Sequence, residues 1–158
     1  NKETTPMEKV IGESVKKTDR TFVRSYTEGY CEAITENYRM YHIRTLEGNL
    51  SGNYPEYAKQ QLDEIENGTA NLMKFEIREG KKYYKVVQVE YDTFQNRNEY
   101  RDSSVHSFVD KNTGDVYKPA SWKAPAKHVR FTFQKPEDIR FLLNPINVGW
   151  AGGYLYLR

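Results

Sequence analysis

Apolar residues recur every three or four positions between Asp19 and Leu46, a spacing that aligns them along one face of an α-helix. They are Phe22, Tyr26, Tyr30, Ile34, Tyr38 and Tyr41. Gly48 is placed to end this helix, and Gly29 within it should cost about 1 kcal/mol relative to alanine. The polar residues 1–18 are expected to form a short helix or a flexible arm.

A second, shorter helix is predicted from Pro55 to Glu66. Asn53 and Glu56 have the spacing of a capping box, in which each side chain bonds the backbone N–H of the other residue. Gly68 follows the expected end, where a glycine commonly takes the left-handed conformation.

After Gly68 the apolar period changes to two, which indicates β-strands. Strands are predicted over residues 72–78, 82–91, 104–109 and 115–118. The second strand should place Tyr83, Lys85, Val87, Val89 and Tyr91 on one face. A turn at Asn112–Gly114 joins the last two strands. Two or three helices followed by an antiparallel meander define an α+β fold.

The last third of the chain is less regular. Pro119 and Pro125 frame an extended loop or at most a short helix. Residues 129–133 alternate like a strand, and residues 136–143 begin with proline and acidic residues, as a short helix does. The glycine-rich ending, residues 149–158, predicts a bend followed by a strand.

Length and composition favour a single domain spanning residues 1–158. Hydrophobic residues make up 37% of the chain and the mean hydropathy is −0.88, so part of the core must come from the thirteen tyrosines. Cys31 is the single cysteine, which excludes an intramolecular disulfide and a cysteine-based zinc cluster. We expect no membrane span, because no apolar run approaches about 18 residues. We also expect no metal and no cofactor, because the carboxylates are scattered and no metal-ligand motif occurs.

Charge is unevenly distributed along the chain. Residues 1–70 carry 9 Lys/Arg against 12 Asp/Glu, whereas residues 71–158 carry 15 against 10, so the halves have net charges of −3 and +5. Residues 116–136 contain five basic residues and no acidic one. This is a local basic segment that also carries a tryptophan.

The segment from Asp110 to His128, with its turn and its lysine-, tryptophan- and proline-containing loop, resembles a family of small uncharacterised proteins. Bacteriophages and other large DNA viruses encode that family. The resemblance covers residues 106–158. It implies a viral protein in the host cytoplasm or the virion, and it supplies no catalytic residue.

Cations beside an aromatic ring suit a phosphate backbone with exposed bases. The candidate ligand-binding residues are Lys118, Ser121, Trp122, Lys123, Lys127, His128 and Arg130. In the competing interpretation, Trp122 is buried beneath the loop and the lysines are merely solvated. A protein interface is a third interpretation, and the tyrosine face of the long helix is either core or interface.

Sequence patterns of enzymes are weak in this chain. His106 and His128 lack the hydroxyl residue two positions later that two-histidine phosphoesterases carry. Cys31 and His42 lie eleven residues apart on one predicted helix, about 16 Å along its axis. His106 and Asp110 are interpreted as a strand histidine and a turn aspartate.

The function expected from the sequence is therefore a non-enzymatic viral accessory protein. It would bind nucleic acid or a phosphorylated ligand through residues 118–130. The alternative is a virion structural or protein-interaction component with no ligand. Its partners would be nucleic acid or other viral or host proteins, and an oligomer is compatible with either function.

Overall fold

The fold consists of helices followed by an antiparallel sheet, as predicted. The computed structural model describes residues 20–157, so the expected helix or arm at residues 1–18 lies outside the described part. The main elements are α1 (Arg20–Asn49), α2 (Pro55–Asn67), β1 (Lys74–Glu79), β2 (Tyr83–Asp92), β3 (Glu99–Asp110), β4 (Asp115–Tyr117), β5 (Phe131–Thr132) and α3 (Pro136–Leu142). Short 3-10 helices lie at Phe94–Asn96 and Gly153–Leu155. The α+β class is confirmed.

Helix α1 supplies one side of the core. The side chains of Val23, Tyr30 and Ile34 are almost fully buried and belong to a cluster that also includes residues of the sheet, α3 and the C-terminal segment. Tyr41, further along the predicted stripe, is 47% exposed. The C-terminal end of α1 lies outside this cluster, although Leu46 there is only 3% exposed.

Two predictions about helix ends are wrong and one is confirmed. Helix α1 continues through Gly48 to Asn49. Helix α2 has no side-chain cap, because Tyr54 and not Asn53 occupies the N-cap position before Pro55. Gly68 ends α2 in the left-handed conformation, with φ of 75°.

The five strands pair in the order in which they occur in the chain, and all pairs are antiparallel. Burial along β2 does not alternate simply, because the adjacent Val86 and Val87 are both fully buried. The register between β2 and β3 shifts at these two residues and again after Gln88. Such irregularities bend a strand and re-aim its side chains.

The structure differs from the sequence-based prediction at the start of β3 and at the C-terminal end. Strand β3 begins at Glu99, five residues before the predicted Ser104, so β2 and β3 form a longer hairpin than expected. The predicted C-terminal strand is absent among the described residues: Gly153–Leu155 is a 3-10 helix, and Leu155 is buried in the core. Asn37 of α1 fixes this segment by bonding the backbone of Pro145 and Trp150.

Candidate nucleic-acid interface

The loop between Pro119 and Pro125 is a tight turn that presents Trp122. A backbone bridge joins the two prolines, and Ala124 O accepts hydrogen bonds from the N–H groups of two residues earlier in the loop. The Ser121 hydroxyl accepts the N–H of Lys123 at 3.2 Å, which closes the tip. Trp122 is 45% exposed, so it is not buried beneath the loop.

Trp122 lies against the outer end of the sheet. The ammonium of Lys85 on β2 is 4.6 Å from the centre of the indole ring and 5.7 Å from that of Phe108 on β3. A cation over an aromatic face is attracted by the ring quadrupole. This contact connects the loop to the strands and leaves about half of the tryptophan open to solvent.

A groove of about 270 Å³ lies beside this contact. Its side chains come from the β1–β2 hairpin, from β2 and β3, and from the Trp122 loop. We call the surface formed by the groove and Trp122 the basic face; besides Gly80, its members are Arg78, Glu79, Lys81, Lys82, Tyr83, Lys85, Phe108, Trp122 and Lys123. Glu79 is the one acidic member, and its carboxylate accepts bonds from Arg24 and Lys111. Of the members of this face, Trp122 and Lys123 were predicted from the sequence to bind a ligand, and the others were not.

The lysines of the basic face have no ion-pair partner within residues 20–157. Lys81, Lys82 and Lys123 are exposed, Lys85 is half-buried, and none of them belongs to an ion pair in that range. Arg78 differs, because Asp102 at 2.8 Å and Glu76 at 3.2 Å share its charge. The hydrogen bonds that Arg78 donates to the Asp102 carboxylate are the main cause that raises the Arg78 pKa.

Two of the basic residues predicted to bind a ligand, Lys118 and Arg130, lie away from the basic face. The Lys118 ammonium lies 4.7 Å from the centre of the Tyr156 ring and borders a separate groove of about 320 Å³. Arg130 donates from Nε to Leu155 O at 2.6 Å and from Nη1 to two further backbone carbonyls. Its guanidinium therefore holds the loop to the C-terminal segment.

The remaining predicted residues surround these contacts. Lys127 and His128 are exposed, and their carbonyls accept the two Nη1 bonds of Arg130. His128 has a positive φ of 71°, which aims its carbonyl at Arg130. The predicted residues thus do not form one surface, since Trp122 and Lys123 lie on the basic face and Lys118 lies by another groove.

A buried polar network links the core to the C-terminal segment. Tyr30 shares hydrogen bonds with Ser107 and Tyr154, and Tyr154 in turn lies 2.7 Å from Nε2 of His106. Burial lowers the pKa of His106 from 6.5 to about 4 and raises the pKa of Tyr154 well above its usual value. At neutral pH these groups are uncharged, and the network acts as a structural tie.

The other candidate catalytic groups are also in structural positions. Asp110 is the last residue of β3, and its carboxylate accepts the N–H groups of Asn112 and Thr113 in the turn that follows. Burial raises the pKa of Cys31 to about 12. Between residues 20 and 157 no cluster of three or more His, Cys, Asp or Glu side chains is arranged to hold a metal ion. None of the helices in that range combines the length and hydropathy that a membrane span requires.

A protein-family profile matches residues 8–157, which is nearly the whole chain. The chain belongs to DUF7717, a family of unknown function. No curated protein and no solved structure matches it. The DUF7717 match includes both long helices and the β1–β2 hairpin, whereas the resemblance seen in the sequence was confined to residues 106–158. The family description names no viral source and no activity.

Proposed function

We propose that this protein binds single-stranded nucleic acid through the basic face. The observation that carries the proposal is the position of Trp122, which is 45% exposed at a loop tip between Lys85 and Lys123. Lys85 lies over the indole ring, and we expect a base to stack on the exposed part of that ring. A duplex keeps its bases stacked and paired, so a ring presented in this way favours an unpaired base.

Electrostatics supports the same proposal. Four lysines that belong to no ion pair within residues 20–157 line the groove beside the tryptophan, together with the ion-paired Glu79: Lys81, Lys82, Lys85 and Lys123. Each phosphate that such a cation neutralises releases counterions, which favours binding at low salt. Stacking of one base on an aromatic side chain contributes about 1–3 kcal/mol and tolerates any base. We therefore expect binding with little sequence preference and a strong dependence on salt.

Fluorescence anisotropy with a labelled 20-nucleotide oligo(dT), measured over a range of salt concentrations, tests the contribution of the lysines. The double variant Lys82→Ala/Lys123→Ala should bind more weakly. Two lost phosphate contacts should reduce the slope of log K against log salt by about 1.4, since each contact to a single strand contributes about 0.7.

The matched control is the double variant Lys59→Ala/Lys135→Ala, which removes the same charge from two exposed lysines outside the basic face. It should retain the wild-type slope. An equal loss in both variants would mean that net charge alone drives binding and would contradict a defined site. Displacement of oligo(dT) by a mononucleotide at equal phosphate concentration would instead indicate a phosphorylated small ligand.

We also propose a viral origin, with the protein acting in the host cytoplasm or in the virion. The support is the resemblance of residues 110–128 to proteins of bacteriophages and other large DNA viruses. Mass spectrometry of infected cells and of purified particles would separate the two locations. A chromosomal gene for this chain in a cell without neighbouring viral genes would contradict the proposal.

The second candidate function is that of a protein-interaction or virion component. It is favoured by three exposed tyrosines around the α1–α2 connection: Tyr41, Tyr54 and Tyr57 are 47%, 78% and 62% exposed. Tyrosine is enriched in protein interfaces because it combines apolar area with a hydroxyl. Binding through such a surface should change little with salt, whereas binding of phosphates by the basic face should weaken steeply.

A further inference from the structure

The hairpin of β2 and β3 extends beyond the other strands as a two-stranded ribbon. Strand β1 pairs with β2 only as far as Val89, and β4 pairs with β3 only at Phe108 and Val109. Within residues 20–157, the pairs from Glu90↔Arg101 to Asp92↔Glu99 therefore have no third strand beside them. We call residues 90–101 the ribbon arm.

The ribbon arm ends in an exposed aromatic residue that is held in place. Phe94 at the tip is 63% exposed. The Asp92 carboxylate accepts the Phe94 N–H at 2.8 Å and bonds of 3.1 and 3.4 Å from Arg97 and Arg101. The Arg97 guanidinium lies 5.4 Å from the centre of the Phe94 ring. These contacts fix the turn without covering the ring.

The turn itself is strained. Gln95, Asn96 and Asn98 have positive φ angles of 50°, 61° and 48°, a conformation that costs about 1–2 kcal/mol for a residue with a side chain and that asparagine tolerates best. Backbone strain that is retained around an exposed group is a common feature of binding sites. The ribbon arm therefore holds an exposed apolar side chain, Phe94, in a fixed position at its tip.

The charges on the ribbon arm define the chemistry of its partner. Its two arginines share the Asp92 carboxylate, whereas Glu90 and Glu99 belong to no ion pair within residues 20–157. A complementary surface would offer an apolar pocket surrounded by cations. The basic face has this character: Tyr83 and the buried Phe108 line its groove of about 270 Å³ together with Arg78 and four lysines. Its one acidic side chain, Glu79, is paired with Arg24 and Lys111, so the groove keeps an excess of positive charge. A cavity of about 150 Å³ accommodates benzene, so the groove is large enough for a phenyl ring.

The groove of the same molecule is out of reach of its own arm. Tyr83 and Asp92 mark the two ends of β2, a strand of 10 residues. At about 3.3 Å per residue the groove and the arm are separated by about 30 Å. Any such contact must therefore join two molecules.

We propose that Phe94 of one molecule inserts into the basic face of a second copy, with Glu90 and Glu99 facing its lysines. This is a head-to-tail contact between two different surfaces, which leaves a free arm at one end and a free groove at the other. Copies can therefore add until a ring closes or a linear chain forms. The inference uses the same face as the proposed function but does not depend on it.

Sedimentation velocity over a concentration series tests the contact. The wild-type protein should self-associate. The arm variant Phe94→Ser and the face variant Lys82→Glu/Lys85→Glu should each bind at least about tenfold more weakly to themselves, since a buried anchor residue dominates such interfaces. An equimolar mixture of the two variants should form a one-to-one dimer and nothing larger, because only one competent arm and one competent groove can meet.

Two further variants separate this contact from general effects. Phe94→Leu keeps an apolar tip and should retain self-association, and Tyr57→Ser removes an equally exposed aromatic residue from α2 and should have no effect. Far-UV circular dichroism verifies the fold of each variant. A wild-type protein that stays monomeric, a mixture that fails to dimerise, or an equal loss in Tyr57→Ser would overturn the inference. The monomeric Phe94→Ser variant should still bind oligo(dT), so a failure of nucleic-acid binding is seen separately.

Discussion

Burial of neutral His106 makes stability depend on pH in a defined direction. The His106 side chain is 7% exposed and is bonded to Tyr154 and to the backbone of Trp150, and its pKa is lowered from 6.5 to about 4. The unfolded chain therefore takes up a proton at His106 as the pH falls through 6.5, while the folded chain does not. Stability is lost from that point downward, and the loss reaches its limit below pH 4.

The magnitude follows from the two pKa values, since one unit corresponds to about 1.36 kcal/mol. At pH 7.5 His106 is neutral in both states and contributes almost nothing. At pH 5 the unfolded state is favoured by about 2 kcal/mol, and at pH 4 by about 3 kcal/mol. These values are a large fraction of the 5–15 kcal/mol that is typical of a folded domain.

The assay is urea denaturation at pH 7.5 and pH 5 of the wild-type protein and of the variant His106→Gln. The variant loses packing against Phe75 and is less stable at pH 7.5. Its loss on acidification should be about 2 kcal/mol smaller than that of the wild type, because glutamine does not titrate. His42, His128 and all carboxylates remain in both proteins and cancel. Equal losses of stability in the two proteins would refute the reasoning.

Two further predictions concern the turn after β3 and the buried thiol. Gly114→Ala should destabilise the fold by more than about 2 kcal/mol in urea denaturation, because φ is +77° and a Cβ would lie 3.1 Å from the Cβ of Phe133. Gly48→Ala is the control: its added Cβ would meet no atom within 4 Å, so it should not destabilise the fold. Cys31, with its pKa raised to about 12, should resist alkylation at pH 8 until denaturant is added; labelling of the native protein at the rate of a free thiol would contradict its burial.

The elements that can be predicted from the sequence are those with one buried face and one exposed face. Helix α1 and strand β1 each bury one face against the other, and their apolar periods show it. The beginning of β3, residues 99–103, has no such signal because it is mostly exposed, and its first three residues belong to the ribbon arm. The strand predicted after the glycine bend of residues 149–153 does not form, and Tyr154 turns inward to bond Tyr30 and His106. A long-range polar contact of this kind leaves no local pattern.

The candidate site was predictable only in part for the same reason. Trp122 and Lys123 stand out as a local cluster of aromatic and basic residues. Lys81, Lys82 and Lys85 come from a hairpin about forty residues earlier, and only the pairing of β2 with β3 and the position of the loop bring them beside Trp122. Their available signal was the basic run after Gly80. Arg130 is the reverse case: its charge suggested phosphate binding, but its guanidinium donates hydrogen bonds to backbone carbonyls.

Quenching of tryptophan fluorescence by oligo(dT) tests the proposed function most directly, because Trp122 is one of only two tryptophans in the chain. The other, Trp150, packs against Tyr38 and Tyr41 and should not respond. Quenching is expected in the wild type and in Trp150→Phe, and its loss is expected in Trp122→Phe, where anisotropy should also show weaker binding. Trp122→Ala should cost about 1–3 kcal/mol of binding free energy. Absence of quenching at low salt, or quenching that follows Trp150, would contradict the central claim.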